Sequence, residues 1–158
     1  MRTFSPYLHD VFSYPQEYAA LANKVAANVL TLKKRLKFDA IAFTGASGSA
    51  MAYPVSMLTG IPLLLVRKRD EQTHGSRVEG PNGANIKKYA IIDDFICSGS
   101  TVKRIIEALS AEDQTMRCVC IMVYLSKYTH KLSELSLQFE GKPSIKFYTV
   151  DKSAQLVT

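Results

Sequence analysis

At 158 residues and 47% hydrophobic content the chain suits one domain, 1–158, with a sizeable core, and its composition argues against a disordered or fibrous protein. Twenty Lys and Arg against 14 Asp and Glu give a formal charge of +6, which favours anionic partners, nucleic acid and phosphorylated metabolites alike. The basic residues are dispersed, at Lys33, Lys34, Arg35 and Lys37, at 67–69, and at Lys87 and Lys88, so most of this charge reads as solvated surface. Residues 1–16 lack the basic-then-apolar order of a secretory signal and runs such as 118–125 are too short to cross a bilayer, so a soluble cytoplasmic protein is expected.

Taken in chain order, Tyr18, Leu21, Ala22, Val25, Ala26, Val29 and Leu32 recur at helical spacing behind Pro15, which predicts an amphipathic helix over 15–36. A short buried strand follows at 39–43, broken by the glycine-rich stretch Thr44, Gly45, Ala46, Ser47, Gly48. A helix is expected over 49–58, bent or interrupted by Pro54 and closed by Gly60 as a left-handed cap. Residues 61–66 form a second buried strand, and 67–88 are a long polar stretch. A connection that long is unusual in a compact domain unless it serves as a lid or binding loop. Residues 90–92 are a third strand ending in Asp93 and Asp94, and Val102, Ile105, Ile106 and Leu109 mark the next helix. Residues 118–125 are a fourth strand and 145–150 an expected edge strand. Cys97, Cys118 and Cys120 are odd in number without metal-ligand spacing; the last two are expected to share one strand face as packing residues. Alternating strands and helices with doubly apolar strands predict an α/β fold, doubly wound, with a mostly parallel sheet between helices and its ligand rim at the strand ends.

Residues 89–101 carry the chemistry. A buried strand delivers Asp93 and Asp94 to the rim, and a run of small and hydroxyl residues, Ser98, Gly99, Ser100 and Thr101, opens a helix. Free amides and the positive end of a helix dipole make such a start a phosphate cradle. It is not a Walker A loop, because no Gly-Lys-Ser/Thr is present, and G-x-G-x-x-G is absent. Two adjacent carboxylates repel unless a cation or hydroxyls accompany them, and a ribose diol with Mg²⁺ supplies both. The plainer alternative is that Asp93 ends a strand while Asp94 or Ser98 caps a helix. The phosphate-type helix start four residues later weighs towards the ligand reading.

The run AIIDDFICSGST resembles the signature of the type I phosphoribosyltransferases, with flanking order that agrees from about residue 15 to 125. The resemblance implies that Asp93 and Asp94 bind the ribose hydroxyls of 5-phosphoribosyl 1-diphosphate (PRPP) and Mg²⁺, the latter directly or through water or those hydroxyls. Cys97, Ser98, Gly99, Ser100 and Thr101 would wrap its 5-phosphate. Thr44, Gly45, Ala46, Ser47 and Gly48 take the place of the family's pyrophosphate loop; many relatives carry Lys or Arg there, so neutralisation must come from the metal or another basic group. Residues 67–88 would be the mobile catalytic loop, with Arg67 binding PRPP and Lys68 and His74 joining Asp93 and Asp94 in catalysis. Aromatic residues of the N-terminal segment (Phe4, Tyr7, Phe12, Tyr14) and of 124–140 (Tyr124, Tyr128) would build a small hood over the base.

By the same resemblance the protein transfers the 5-phosphoribosyl group from PRPP to a nucleobase ring nitrogen with release of diphosphate, as a homodimer in nucleotide salvage. The orotate enzymes place a lysine shortly before the loop histidine, where this chain has Glu71, Gln72 and Thr73, so a purine is slightly favoured over orotate. Hypoxanthine and guanine enzymes usually carry Asp where this chain has Cys97, which lowers the weight of 6-oxopurines. The alternatives are a PRPP-sensing regulator that binds RNA or a protein partner, and a nucleotide or sugar-phosphate binding module of another doubly wound family. Nucleic acid is not the expected partner of the enzyme.

Overall fold

A computed structural model describes residues 8–68, 70–71, 75–96, 98–125, 145–150 and 156–157. The short helix α1, His9–Ser13, leads into α2, Pro15–Leu36, whose ends match the expectation. Ala22, Val25, Ala26, Val29 and Leu32 of α2 are buried as a single stripe, and Lys33, Lys34 and Arg35 lie in its last turn, where the helix dipole favours positive charge. Lys37 closes the helix in the left-handed conformation at φ 57°, donating its N–H to the Lys33 carbonyl.

Among the described residues seven strands follow: β1 Ala40–Phe43, β2 Leu63–Val66, β3 Val78–Glu79, β4 Lys88–Asp93, β5 Arg117–Val123, β6 Lys146–Val150 and β7 Leu156–Val157. They form one sheet in the order β3-β2-β1-β4-β5-β6-β7. The pairs from β2 to β6 are parallel, and β3 and β7 join antiparallel at the edges. Residues 145–150 are therefore not an edge, since β6 is paired on both sides, and the stretch 67–88 contains β3. Both edge strands span only two residues, too few for alternation to reveal them.

Helices α2 and α3 (Gly45–Thr59) cover one face of the sheet, packing on Ile41, Phe43, Ala90 and Ile92. Helix α4 (Ser100–Glu112) covers the other, packing on Ala40, Ala42, Tyr89 and Ile91. Neither Ile41 nor Ile91 exposes any surface. Complete burial of such a side chain contributes ~1.5–3 kcal/mol, which secures the two strands whose ends carry the site.

Two local expectations are corrected. Helix α3 starts at Gly45 and runs unbroken through Pro54. Pro54 has no N–H for the carbonyl four residues earlier, but the Tyr18 hydroxyl of α2 donates to that Ala50 carbonyl and leaves no orphan acceptor. Burial of this hydroxyl pushes the Tyr18 pKa up to about 12. Cys118 and Cys120 do not share a face. The register shifts from Tyr89↔Cys118 to Ala90↔Cys120, leaving Val119 as the extra residue of a bulge. Cys118 thus packs towards α4, while Cys120 joins the core beneath α2 and α3.

From β1 the chain crosses through α3 to β2 on one side, whereas β4 lies on the other. The carboxyl ends of β1 and β4 therefore flank the point where the winding reverses, the place where a crevice opens in doubly wound sheets. No helix among the described residues is long and apolar enough to cross a membrane.

Candidate functional site

A cleft of about 560 Å³ opens at this reversal point. One wall begins where β1 ends. Thr44 is extended (φ −150°, ψ 152°), and its hydroxyl donates to the Val66 carbonyl at 2.6 Å, tying the end of β1 to the end of β2. That hydroxyl is consequently not spent on α3, whose N-terminus has no side-chain cap. Gly45 adopts φ 65°, and Gly45, Ala46 and Ser47 of the first turn line the cleft with Thr44. Gly48 does not line it. A Cβ there would stand 3.2 Å from the Phe43 Cβ, so Gly48 lets α3 pack closely on β1. The expected glycine-rich loop is thus the opening turn of a helix.

The opposite wall is the turn into α4. Gly99 at the N-cap has φ 74°, and α4 also lacks a side-chain cap. Ser98 and Ser100 hydroxyls lie 3.0 Å apart, and both residues line the cleft with Gly99 and Thr101. Two helix N-termini without a bond from the N-cap side chain, each with a positive dipole end, therefore face one cavity, and at α4 the Ser98 hydroxyl accepts from the Ser100 amide at 3.4 Å.

Between them sit the acids. Asp93 and Asp94 are 5% and 3% exposed. Asp93 Oδ1 accepts from the Asp94 amide at 3.0 Å and from the Ser47 hydroxyl at 3.3 Å, and Asp94 Oδ1 accepts from the Phe95 amide at 2.9 Å. Their carbonyls accept from the amides of Tyr124 and Leu125 at 3.2 and 2.9 Å, which extends the β4–β5 ladder to the rim. Burial above all, and then the neighbouring charge of Asp94, push the Asp93 carboxyl up to about 7. Such a pair suits a ligand bringing hydroxyls or a cation.

Lys68 supplies a cation from the segment after β2. A Cβ built on Gly45 would lie 3.0 Å from its Cε and 3.4 Å from its Nζ, which places the ammonium over the first turn of α3. The basic group that Ala46 and Ser47 do not provide thus arrives from another element. Arg67 does not reach the cleft: its Nε donates to Glu79 Oε1 at 2.7 Å, and the side chain lines a neighbouring hollow. Tyr124 is 3% exposed within the core and its hydroxyl donates to the Ser47 carbonyl at 2.7 Å, so it braces the α3 turn rather than offering a stacking face. Tyr14 is half exposed and packs edge-on against His9, outside the cleft lining. Cys97, His74, Phe4, Tyr7 and Tyr128 lie outside the described residues, as does the Phe12 side chain. Sequence reasoning missed Arg104, which lines the cleft one turn into α4. Its spacing from Ser100 and Thr101, i+4 and i+3, was the available signal.

Among solved structures, Leishmania donovani UMP synthase is similar with a TM-score of 0.67 at 24% identity, over 90% of this chain and 28% of that chain. Saccharomyces cerevisiae adenine phosphoribosyltransferase, solved with adenine and an iminoalditol bisphosphate, is similar with a TM-score of 0.67 at 16% identity, over 89% and 82% of the two chains. The fold is that of the type I phosphoribosyltransferases. Among curated proteins, the hypoxanthine/guanine phosphoribosyltransferase of Methanocaldococcus infernus is 26% identical over 147 residues, 84% of this chain and 78% of the relative. That of Methanocorpusculum labreanum is 29% identical over 107 residues, and the match spans 57% of the relative's length and 60% of this chain. The family model PRTase-CE matches residues 7–157, and the chain belongs to that family.

Proposed function

We propose that the protein transfers the 5-phosphoribosyl group of PRPP to a ring nitrogen of a nucleobase and releases diphosphate. The observation that carries this reading is the pair of buried acids between two helix N-termini in one cleft. Asp93 and Asp94 accept hydrogen bonds from the ribose 2- and 3-hydroxyls. The amides opening α4, with the hydroxyls of Ser98, Ser100 and Thr101, hold the 5-phosphate, together with Cys97, which precedes them in the sequence. The amides opening α3 and the Lys68 ammonium hold the diphosphate, so the donor lies across the cleft from one helix end to the other.

Breaking the bond at the anomeric carbon builds positive charge on the ribose and negative charge on the departing diphosphate. The α3 amides and Lys68 face the second of these and stabilise it where it develops. The part of 67–88 between β2 and β3, which includes His74 in sequence, closes over the bound donor and excludes the water that would otherwise intercept the ribosyl cation. Mg²⁺ fits the donor set: the carboxylates are oxygen ligands, and no group of three or more His, Cys, Asp and Glu among the described residues forms a metal cage. Such a site suits an ion held by one or two carboxylates together with ligand oxygens. When bound, Mg²⁺ supplies further positive charge to the diphosphate.

A purine is the favoured acceptor. The curated relatives are named for hypoxanthine and guanine, while Cys97 in place of the usual Asp favours a purine read differently from theirs. A homodimer acting in cytoplasmic nucleotide salvage is the setting this reading implies. The test is diphosphate release from PRPP and Mg²⁺ with adenine, hypoxanthine, guanine, xanthine, orotate or uracil added singly. Release dependent on a purine is expected. PRPP binding without release for any base would contradict the transferase and leave a PRPP sensor in its place.

A further inference from the structure

Beside the donor cleft, between α4 and the β2–β3 edge, lies a second hollow of about 270 Å³. Three arginines line it: Arg67 after β2, Arg77 before β3, and Arg104 on α4. Arg104 lines the donor cleft as well, so its side chain stands between the two cavities. The lining sets these three guanidinium groups against two carboxylates, Glu107 and Glu112, both of which have other partners. Glu112 accepts from the Ser76 hydroxyl, and Glu107 pairs at 3.9 Å with Lys103 outside the hollow. Only Arg67 forms an ion pair, with Glu79; Arg77 and Arg104 form none among the described residues. Arg104 Nε is moreover buried with no hydrogen-bond partner among those residues. Buried donors are satisfied in the great majority of native structures, so an orphaned guanidinium nitrogen in a basic hollow points to a missing acceptor.

We propose that this hollow is a second anion subsite, which takes a small phosphate-class anion on Arg77 and Arg104 with Arg67 at its edge. Its volume lies just below the ~300–1,000 Å³ of ordinary small-molecule pockets, which suits phosphate or diphosphate rather than a whole nucleotide. Guanidinium groups match the oxygens of such anions through charge-assisted, often bidentate hydrogen bonds. Because Arg104 is common to both cavities, occupation of the hollow fixes a side chain of the donor cleft. An anion there couples to whatever the donor cleft binds, in either direction. The subsite does not depend on the transferase reading.

The test is calorimetric titration of the full chain with inorganic phosphate, and separately with diphosphate, at about 0.15 M chloride to screen diffuse surface binding. Ala46→Glu together with Ser98→Glu sets a carboxylate against each cradle of the donor cleft, and neither position stands one helical turn from Arg104. The Ala46→Glu/Ser98→Glu protein is expected to retain one anion per chain. Adding Arg77→Gln should weaken that binding about tenfold or more, and Arg77→Lys should restore part of it, with unchanged melting temperatures showing that the fold is intact. Retention of the same affinity after Arg77→Gln, or no binding by the Ala46→Glu/Ser98→Glu protein, would overturn the subsite.

Discussion

With burial and the charge of Asp94 pushing the Asp93 carboxyl up to about 7, the folded chain holds a proton there that the unfolded chain gives up near ~4. Between those two values the folded state binds more protons than the unfolded one. The contribution of Asp93 to stability is therefore most favourable below pH ~4 and is lost as the pH rises through about 7. Asp39 and Asp113, held down by their hydrogen bonds to Lys88, Lys87 and Thr115, act in the opposite sense and only at lower pH. The ligand-free protein should accordingly lose melting temperature from pH 5 to pH 8. Asp93→Asn should flatten that fall and be more stable than the parent at pH 8; parallel profiles for the two proteins would contradict the account. The residues of this centre were legible because Asp93, Asp94 and the hydroxyls of 98–101 are contiguous, so one strand end and one helix start place them together. Lys68 was named through the family resemblance, but its approach to Gly45 was not legible, and Arg104 was missed altogether; Arg104 stands between two cavities, and neither relation exists along the chain.

At the scale of elements, the helices were readable where a stripe of apolar residues persisted, as in α2, and misread where one contact overrode local preference. Pro54 argued for a bend or an interruption in α3; the helix is not interrupted, and the Tyr18 hydroxyl takes the carbonyl that proline leaves unpaired. The alternation of Cys118 and Cys120 argued for one face, but a bulge at Val119 turns them to opposite sides. The α3 N-terminus shows how an element can be arranged for a ligand. It has no cap and no acid in its first turn, and a lysine ammonium lies over its positive end. Cation and dipole repel there by up to ~1 kcal/mol in an exposed setting, unless an anion sits between them. Lys68→Gln should therefore leave the melting temperature unchanged or raise it, while the KM for PRPP rises about tenfold or more. Arg67→Gln, whose side chain faces Glu79 and the second hollow, should change that KM by about twofold or less. An equal loss in both variants would mean that the segment acts by diffuse charge rather than by the placement of Lys68.

Over the whole molecule, the sheet order explains why one place gathers this chemistry. Strand β1 is followed by α3 and β2 on one side and is flanked by β4 on the other, so two helix N-termini and a strand-end acid pair meet where the winding reverses. The doubly wound class was legible because buried parallel strands are apolar on both faces and alternate with helices. The two-residue edge strands were not, because they rest on pairing with β2 and β6 rather than on any pattern of their own. The net charge of +6 fits a molecule whose ligands carry phosphate, with Lys68 and Arg104 at the donor cleft and Arg77 beside it. The most direct measurement is calorimetric titration of Mg²⁺ and PRPP into the full chain and into Asp94→Asn. One donor per chain, with binding weakened about tenfold or more by the substitution, is the predicted result. Absence of binding, or equal affinity in the two proteins, would contradict the claim that the paired acids hold the ribose.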